Sequence, residues 1–246
     1  MENEKAVLIT GTTNGIGFEL TKKYLNLNFK VIGVDYHQNI NFKDNKNFIQ
    51  EVTDITKAEN IRNFLKKYKN LDLEYFILNA GISFYDNRNF FDIQKFKETF
   101  DINFYGAINF ASIVDQLYYN RKIIFFSSVS RLIPNPSTIS YFLSKDALYK
   151  IVKFLNLNKK QNHFKVIILG PVRSKISRNL NDLNGVSKLI YNFLIVDTKD
   201  AARDIFNFIN SKKTYFYYTK KAYIVCKLIS LLLTFFPGLI NLQKND

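Results

Sequence analysis

Tyr141 and Lys145 lie four residues apart in a stretch of helical apolar spacing, so their side chains share one face. A free phenol titrates at about pH 10, too high for acid–base work near neutrality. An adjacent ammonium favours the phenolate and lowers that value, so the pair is suited to moving a proton. Such pairs also occur on many surface helices, and two further polar residues give this one its weight. Ser128 stands 13 residues before Tyr141, at the end of the apolar run Ile123-Ile124-Phe125-Phe126-Ser127. Asn103 lies upstream in Asp101-Ile102-Asn103-Phe104-Tyr105-Gly106. A helix-surface pair, a strand-end serine and a turn asparagine are each ordinary, but their joint occurrence is not.

A second constellation sits near the N-terminus. The first apolar run ends in Thr10-Gly11-Thr12-Thr13-Asn14-Gly15-Ile16-Gly17 and passes directly into a helical pattern. Gly11 permits the tight turn off a strand, Gly15 lets backbone approach a pyrophosphate, and Gly17 allows close helix–strand packing. The helix start then offers free N–H groups and partial positive charge to phosphates. A strand before and a helix after are what separate a dinucleotide loop from an ordinary glycine turn. Asp35 follows Gly17 by 18 residues, close to the spacing of about 20 expected for an acid that accepts hydrogen bonds from an adenosine ribose. A carboxylate there repels a 2′-phosphate, so NAD is expected over NADP. Asp54, after the third strand, is a candidate for the adenine ring and equally for the N-cap of the next helix.

These residues need elements to hold them. Strands are expected at Ala6–Ile9, Val31–Val34, Phe48–Val52, Tyr75–Leu78, Ile123–Phe126, Val166–Leu169 and Thr214–Tyr217. Helices are expected at Ile16–Leu25, Lys57–Tyr68, around Phe96 to Leu117, at Tyr141–Leu157 and at Ala201–Ile209. Strands of four or five continuous apolar residues suit a parallel sheet covered on both faces. Their alternation with helices gives an α/β fold, a Rossmann-type doubly wound parallel sheet. No Pro/Gly/Ser linker or internal repeat divides the chain, so one domain is expected over residues 1–218, with an apolar C-terminal helical extension at 219–246.

Leu78-Asn79-Ala80-Gly81 closes a further strand. With the glycine loop, this element, and Asn103, Ser128, Tyr141 and Lys145 in order, the chain resembles the short-chain dehydrogenases/reductases from about Lys5 to Ser174. The likeness is to the branch of compact single-domain members: three residues separate Gly11 from Gly15, where the sugar-nucleotide epimerase branch usually has two. The resemblance implies an oxidoreductase that moves hydride between NAD(H) and an alcohol/ketone pair. It assigns Tyr141 as proton donor in reduction and base in oxidation. Lys145 would bind the nicotinamide ribose and depress the Tyr141 pKa. Ser128 would hydrogen-bond the substrate oxygen, and Asn103 would hold a water linking Lys145 to solvent. Cofactor contacts would come from Gly11, Thr13, Asn14, Gly15, Ile16, Gly17, Asp35, Asp54, Asn79, Ala80 and Gly81, besides Tyr141 and Lys145. Leu169-Gly170-Pro171-Val172-Arg173-Ser174 resembles the family's PG element, with Leu169 where proline is usual. It adds Pro171, Val172 and Ser174 to the contacts. A homodimer or homotetramer is implied, built on the helices that carry Asn103 and Tyr141. Two other classes stay open: an NAD-binding regulatory or scaffold protein without turnover, and a sugar-nucleotide-modifying enzyme. The intact tetrad argues against the first, length and glycine spacing against the second.

Composition narrows the rest. Hydrophobic residues are 47% and charged residues 23% of 246, which argues against a disordered chain. A single cysteine, Cys226, excludes an internal disulfide, and His37 and His163 lie far apart without ligand-spaced partners, so no metal site is expected. The net charge of +14 is spread along the chain without a long block, so no nucleic-acid partner is expected. No signal peptide is visible at Met1–Lys5, and the expected compartment is the cytoplasm. A lid over the substrate is expected at Lys175–Tyr191, where Lys175, Arg178 and Lys188 face one acid, Asp182; an anionic substrate and a solvated basic loop both fit. The tail predicts a helix at Tyr223–Phe236. Its charge-free stretch from Leu228 to Gln243 is 16 residues, broken by Pro237 and short of the roughly 20 of a membrane span. It serves as a subunit interface, an apolar wall of a substrate pocket for a lipid-like ketone, or a peripheral membrane contact through residues 220–240.

Overall fold

The computed structural model describes residues 5–38, 40–84, 92–133, 138–157, 161–174 and 192–235. The apolar runs become seven strands: β1 (Lys5–Thr10), β2 (Lys30–Asp35), β3 (Phe48–Val52), β4 (Asp72–Leu78), β5 (Lys122–Ser128), β6 (His163–Leu169) and β7 (Tyr215–Tyr218). They form one parallel sheet in the order β3-β2-β1-β4-β5-β6-β7. The interior strands are buried along most of their length, which is why they read as unbroken apolar runs.

Helices cover both faces. On one side lie α1 (Gly15–Asn26) and α6 (Thr198–Asn210); on the other lie α2 (Ala58–Lys67), α4 (Ala107–Leu117) and α5 (Ile139–Leu157). Successive strand residues feed opposite cores. In β1, Val7 and Ile9 pack with Leu20 and Tyr24 of α1, while Ala6 and Leu8 pack with Ile61 of α2 and Phe110 of α4. Lys165 departs from the apolar pattern inside β6. Its ammonium donates to the carbonyls of Phe208, Ile209 and Ser211 and so closes the C-terminal end of α6.

The helix expected around Phe96 to Leu117 is three pieces: α3 (Ile93–Phe100), a π-helical turn at Asp101–Gly106, and α4. The π turn inserts an extra residue into an otherwise regular repeat, and such turns recur at functional sites. Gly106 packs here against Ile55, whose side chain would lie 3.0 Å from a Cβ at that position. The last strand and the C-terminal helix α7 (Lys220–Phe235) meet at Thr219, in the left-handed region with φ 56°. That single residue makes the turn, so α7 starts at Lys220 and not at Tyr223. Gly170 gives it room, since a Cβ there would sit 2.0 Å from the Thr219 hydroxyl. The expected lid at 175–191 and the tail beyond 235 lie outside the described residues.

Candidate active site

β1 has β2 on one side and β4 on the other, so strand order reverses between β1 and β4. A crevice opens beyond the carboxyl ends of strands at such a point. The Gly11–Gly17 loop leaves β1 there, Asn79–Gly81 leaves β4 beside it, and Ser128 ends the neighbouring β5. Gly11 has φ 75° and Gly15 φ 64°, conformations that disfavour side chains. Gly17 lies so close to Gly11 that a Cβ would meet its carbonyl oxygen at 2.0 Å. The Asn79 amide donates to the carbonyls of Thr10 and Gly11 at 3.1 Å, and Ala80 N donates to the Thr10 hydroxyl at 2.9 Å. Asn79 and Ala80 thereby tie the two strand ends together. Asn14 caps α1 in an extended conformation without a side-chain bond to the helix, and the first turn holds no acid. The helix start is thus left with donors and positive charge for an anion.

Asp35 ends β2 at the same rim. One carboxylate oxygen accepts from both the backbone N–H and the hydroxyl of Thr13; the other accepts from Tyr36 N. Thr13 therefore ties the loop to Asp35 and is not among the cleft-lining residues, nor is Gly17. Asp54 accepts from the N–H and hydroxyl of Thr56. It caps that turn, while Lys57 occupies the N-cap position of α2. The capping role considered for Asp54 is thus displaced by one turn, because the helix begins at Ala58.

At the far end, Tyr141 and Lys145 of α5 face Ser128. Lys145 is 5% exposed, donates to the Phe126 carbonyl at 2.9 Å, and lies 5.6 Å from the centre of the Tyr141 ring. Burial brings the Lys145 pKa down to about 8. Burial also pushes the Tyr141 phenol up to about 12, with a hydrogen bond from Ser128 pulling the other way. On the phenol, burial outweighs the Ser128 hydrogen bond. Spacing along a helix does not reveal that burial, nor that the Lys145 ammonium also donates to the Phe126 carbonyl. Ser128 also accepts from Ser130 N at 3.1 Å, which orients its hydroxyl.

Asn103 is 1% exposed and does not line the cleft. Its amide donates to the Ile82 carbonyl and the Ser144 hydroxyl and accepts from Ile82 N. It braces the segment after β4 against α5, beside Lys145: a Cβ on Gly81 would meet Asn103 Oδ1 at 3.1 Å and Lys145 Nζ at 3.4 Å. The sequence alone does not reveal Ile82, Ser144, Phe126 or Ser127, whose hydroxyl donates to the Lys145 carbonyl. Ile82 and Phe126 act through their own main-chain atoms, which leave no residue-type signal, and Ser127 and Ser144 aim their hydroxyls at carbonyls that only the fold brings near.

These groups share one cleft of about 1150 Å³. Gly11, Asn14, Gly15, Ile16, Asp35, Asp54, Asn79, Ala80, Gly81, Ser128, Tyr141, Lys145, Pro171, Val172 and Ser174 all line it. The strand-end segment at Pro171–Arg173 is held by exchange of backbone bonds with Val196. Cys226 and Ile229 of α7 form part of the wall near the catalytic groups. The glycine turn, the uncapped start of α1 and the length of the cleft fit a dinucleotide.

A family model for short chain dehydrogenase matches residues 5–184. The NADPH-dependent 1-acyldihydroxyacetone phosphate reductase of Schizosaccharomyces pombe is 29% identical over 185 residues, covering 72% of this chain and 62% of that protein. The chain thus spans less than two thirds of that relative. The 3-oxoacyl-acyl-carrier-protein reductase FabG of Buchnera aphidicola subsp. Schizaphis graminum is 26% identical over 72% of this chain and 78% of its own length. A short chain dehydrogenase/reductase from Burkholderia phymatum, solved in complex with NAD, superposes with a TM-score of 0.79 at 16% identity, over 96% of this chain and 95% of that one, a likeness of fold. With its site geometry and a family match over most of its length, the chain belongs to the short-chain dehydrogenase family.

Proposed function

We propose that this chain transfers hydride between NAD(H) and the carbonyl or alcohol carbon of an apolar substrate. The observation that carries this is the convergence of Ser128, Tyr141 and buried Lys145 at one end of a cleft that begins at the glycine turn. When bound, the nicotinamide supplies or accepts the hydride. In reduction, Ser128 donates a hydrogen bond to the substrate oxygen, where negative charge develops. Tyr141 gives its phenolic proton to the same oxygen, so carbon gains the hydride and oxygen the proton. With its pKa raised to about 12, the phenol is in its acid form at neutral pH. Lys145, largely charged below about pH 8, steadies the phenolate left behind. Asn103 holds Ile82 and Ser144 in register and serves as a positioning residue; a proton path from Lys145 to solvent would leave by an atom other than its committed amide.

The NAD preference rests on the rim beside Asp35. Tyr36, His37, Thr53, Asp54, Ile55 and Thr56 line it together with Asp35, and this group includes no lysine or arginine to meet a 2′-phosphate. Two carboxylates there would repel it. The apolar substrate rests on the wall formed by Val129, Ile133, Leu194, Cys226 and Ile229. A homodimer or homotetramer remains part of the proposal, read by light scattering. The deciding experiment is reduction of a panel of ketones of increasing chain length, with NADH and NADPH in parallel. NADH-dependent turnover that improves with apolar length supports the proposal. Cofactor binding without turnover across the panel would instead favour a regulatory nucleotide-binding protein.

A further inference from the structure

Helix α7 is apolar on two sides, and among the described residues the fold packs against one of them. Inward, Ala222 is fully buried, Tyr223 packs on Tyr217 of β7, Tyr223 and Cys226 join the core, and Cys226 and Ile229 reach the cleft. Outward, Ile224, Leu228, Leu231, Leu232 and Phe235 are each 53–70% exposed. At 3.6 residues per turn these five fall within an arc of about 100°. Phe193, 76% exposed, extends the patch, with Lys221 Nζ 5.9 Å from its ring. Single exposed apolar residues are normal, but a contiguous stripe of this kind marks an interaction surface.

We propose that this outward face of α7 seats the protein on the surface of an anionic lipid bilayer. Lys220 and Lys227 border the stripe on one side, Lys221 lies within its arc at the N-terminal end, and α7 carries no acidic residue. Apolar side chains flanked by lysines suit a helix lying in the headgroup plane, where the stems of the lysines bury and their ammoniums meet phosphates. Among the described residues no helix is long and apolar enough to cross a membrane, so the contact is a surface one. The charge of +14 on the whole chain points the same way. It draws the protein toward an anionic surface and opposes pressing the lysine-bordered face against a second copy. The same helix walls the cleft, so, resting on the oxidoreductase assignment above, a bilayer-seated enzyme would take its ketone from the lipid phase.

The test is sedimentation of the full chain with phosphatidylcholine vesicles, with and without about 30% phosphatidylglycerol, at low and high salt. The partition coefficient is expected to be at least about tenfold higher on the anionic vesicles and to fall with salt. The double variant Leu228→Ser/Leu232→Ser should lose at least about tenfold in binding while keeping its helical circular dichroism and its NADH-dependent reduction of a water-soluble ketone. Lys220→Gln/Lys227→Gln should lose several-fold on anionic vesicles. Equal sedimentation with neutral and anionic vesicles, or undiminished binding by the leucine variant, overturns the proposal. A wild type that ignores vesicles but drops to a smaller species in light scattering when the leucines are replaced makes the face a subunit interface and also overturns it. Vesicle binding and reduction of the soluble ketone are read separately, so failure of one is distinguishable from failure of the other.

Discussion

Lys145→Met separates what a buried ammonium does for catalysis from what it costs the fold. Burial takes the Lys145 pKa from 10.5 down to about 8. A lysine whose folded pKa lies below its unfolded value opposes folding while both states carry the charge. The difference of about 2.5 units corresponds to about 3 kcal/mol. Methionine fills a similar volume without charge, but leaves the Phe126 carbonyl without the donor it has at 2.9 Å, a loss of about 1–2 kcal/mol. The variant should therefore be about 1–2 kcal/mol more stable than wild type at neutral pH, though unable to turn over. Between the two pKa values the folded lysine sheds its proton while the unfolded chain keeps it, so the wild type gains stability as pH rises. By about pH 9.5 the gain is about 2 kcal/mol and the advantage of methionine disappears. Urea unfolding of both proteins at about pH 7 and about pH 9.5, followed by circular dichroism, measures the difference directly. A stability difference that does not move with pH, or a variant less stable than wild type at neutral pH, would refute the reasoning.

Asp35→Ala should lower the preference for NADH over NADPH in kcat/KM by about tenfold, about 1.4 kcal/mol, and weaken NADH itself, because Thr13 loses the acceptor that ties the loop; an unchanged cofactor ratio would count against the role of this carboxylate. Gly81→Ala places a methyl 3.1 Å from Asn103 Oδ1 and 3.4 Å from Lys145 Nζ in the cleft wall, so kcat should fall about tenfold or more, with a smaller loss of NADH affinity. Steady-state kinetics beside a fluorescence titration separates the two effects, and a normal kcat would show that the neighbours give way. Lys165→Met also relieves a lysine whose pKa burial lowers to about 8, but it strips the donor from three carbonyls at the end of α6 where Lys145 serves one, so the fold should weaken by about 1–2 kcal/mol with activity per folded molecule intact; a variant as stable as wild type in urea unfolding would contradict that role.

The sheet was legible because its interior strands are buried on both faces and so carry unbroken apolar runs; Ala6–Ile9 and Ile123–Phe126 need no alternation to be recognised. The glycine loop was legible because steric demand selects residue type: Gly11 and Gly15 adopt positive φ, and Gly17 touches backbone. The π turn at Asp101–Gly106 was not, because one added residue barely disturbs the apolar repeat between Phe96 and Leu117. Lys165 reads as a flaw in a strand until its three carbonyl partners, more than 40 residues away, are seen. Tyr141 shows the limit most clearly. The pairing with Lys145 is visible in the sequence, but the direction of its pKa depends on burial, a property of the whole fold. Likewise, the role of Phe126 is carried by its carbonyl, and any residue type supplies one.

The most direct test of the central claim is single-turnover reduction by Tyr141→Phe, with NADH bound and ketone saturating. The phenylalanine keeps the ring beside Lys145 and removes only the hydroxyl that Ser128 meets. The proposal predicts a loss of hydride transfer of at least about 100-fold, with NADH fluorescence titration unchanged. Transfer at the wild-type rate, with NADH still bound, would mean that the proton comes from elsewhere and that Tyr141 is not the acid.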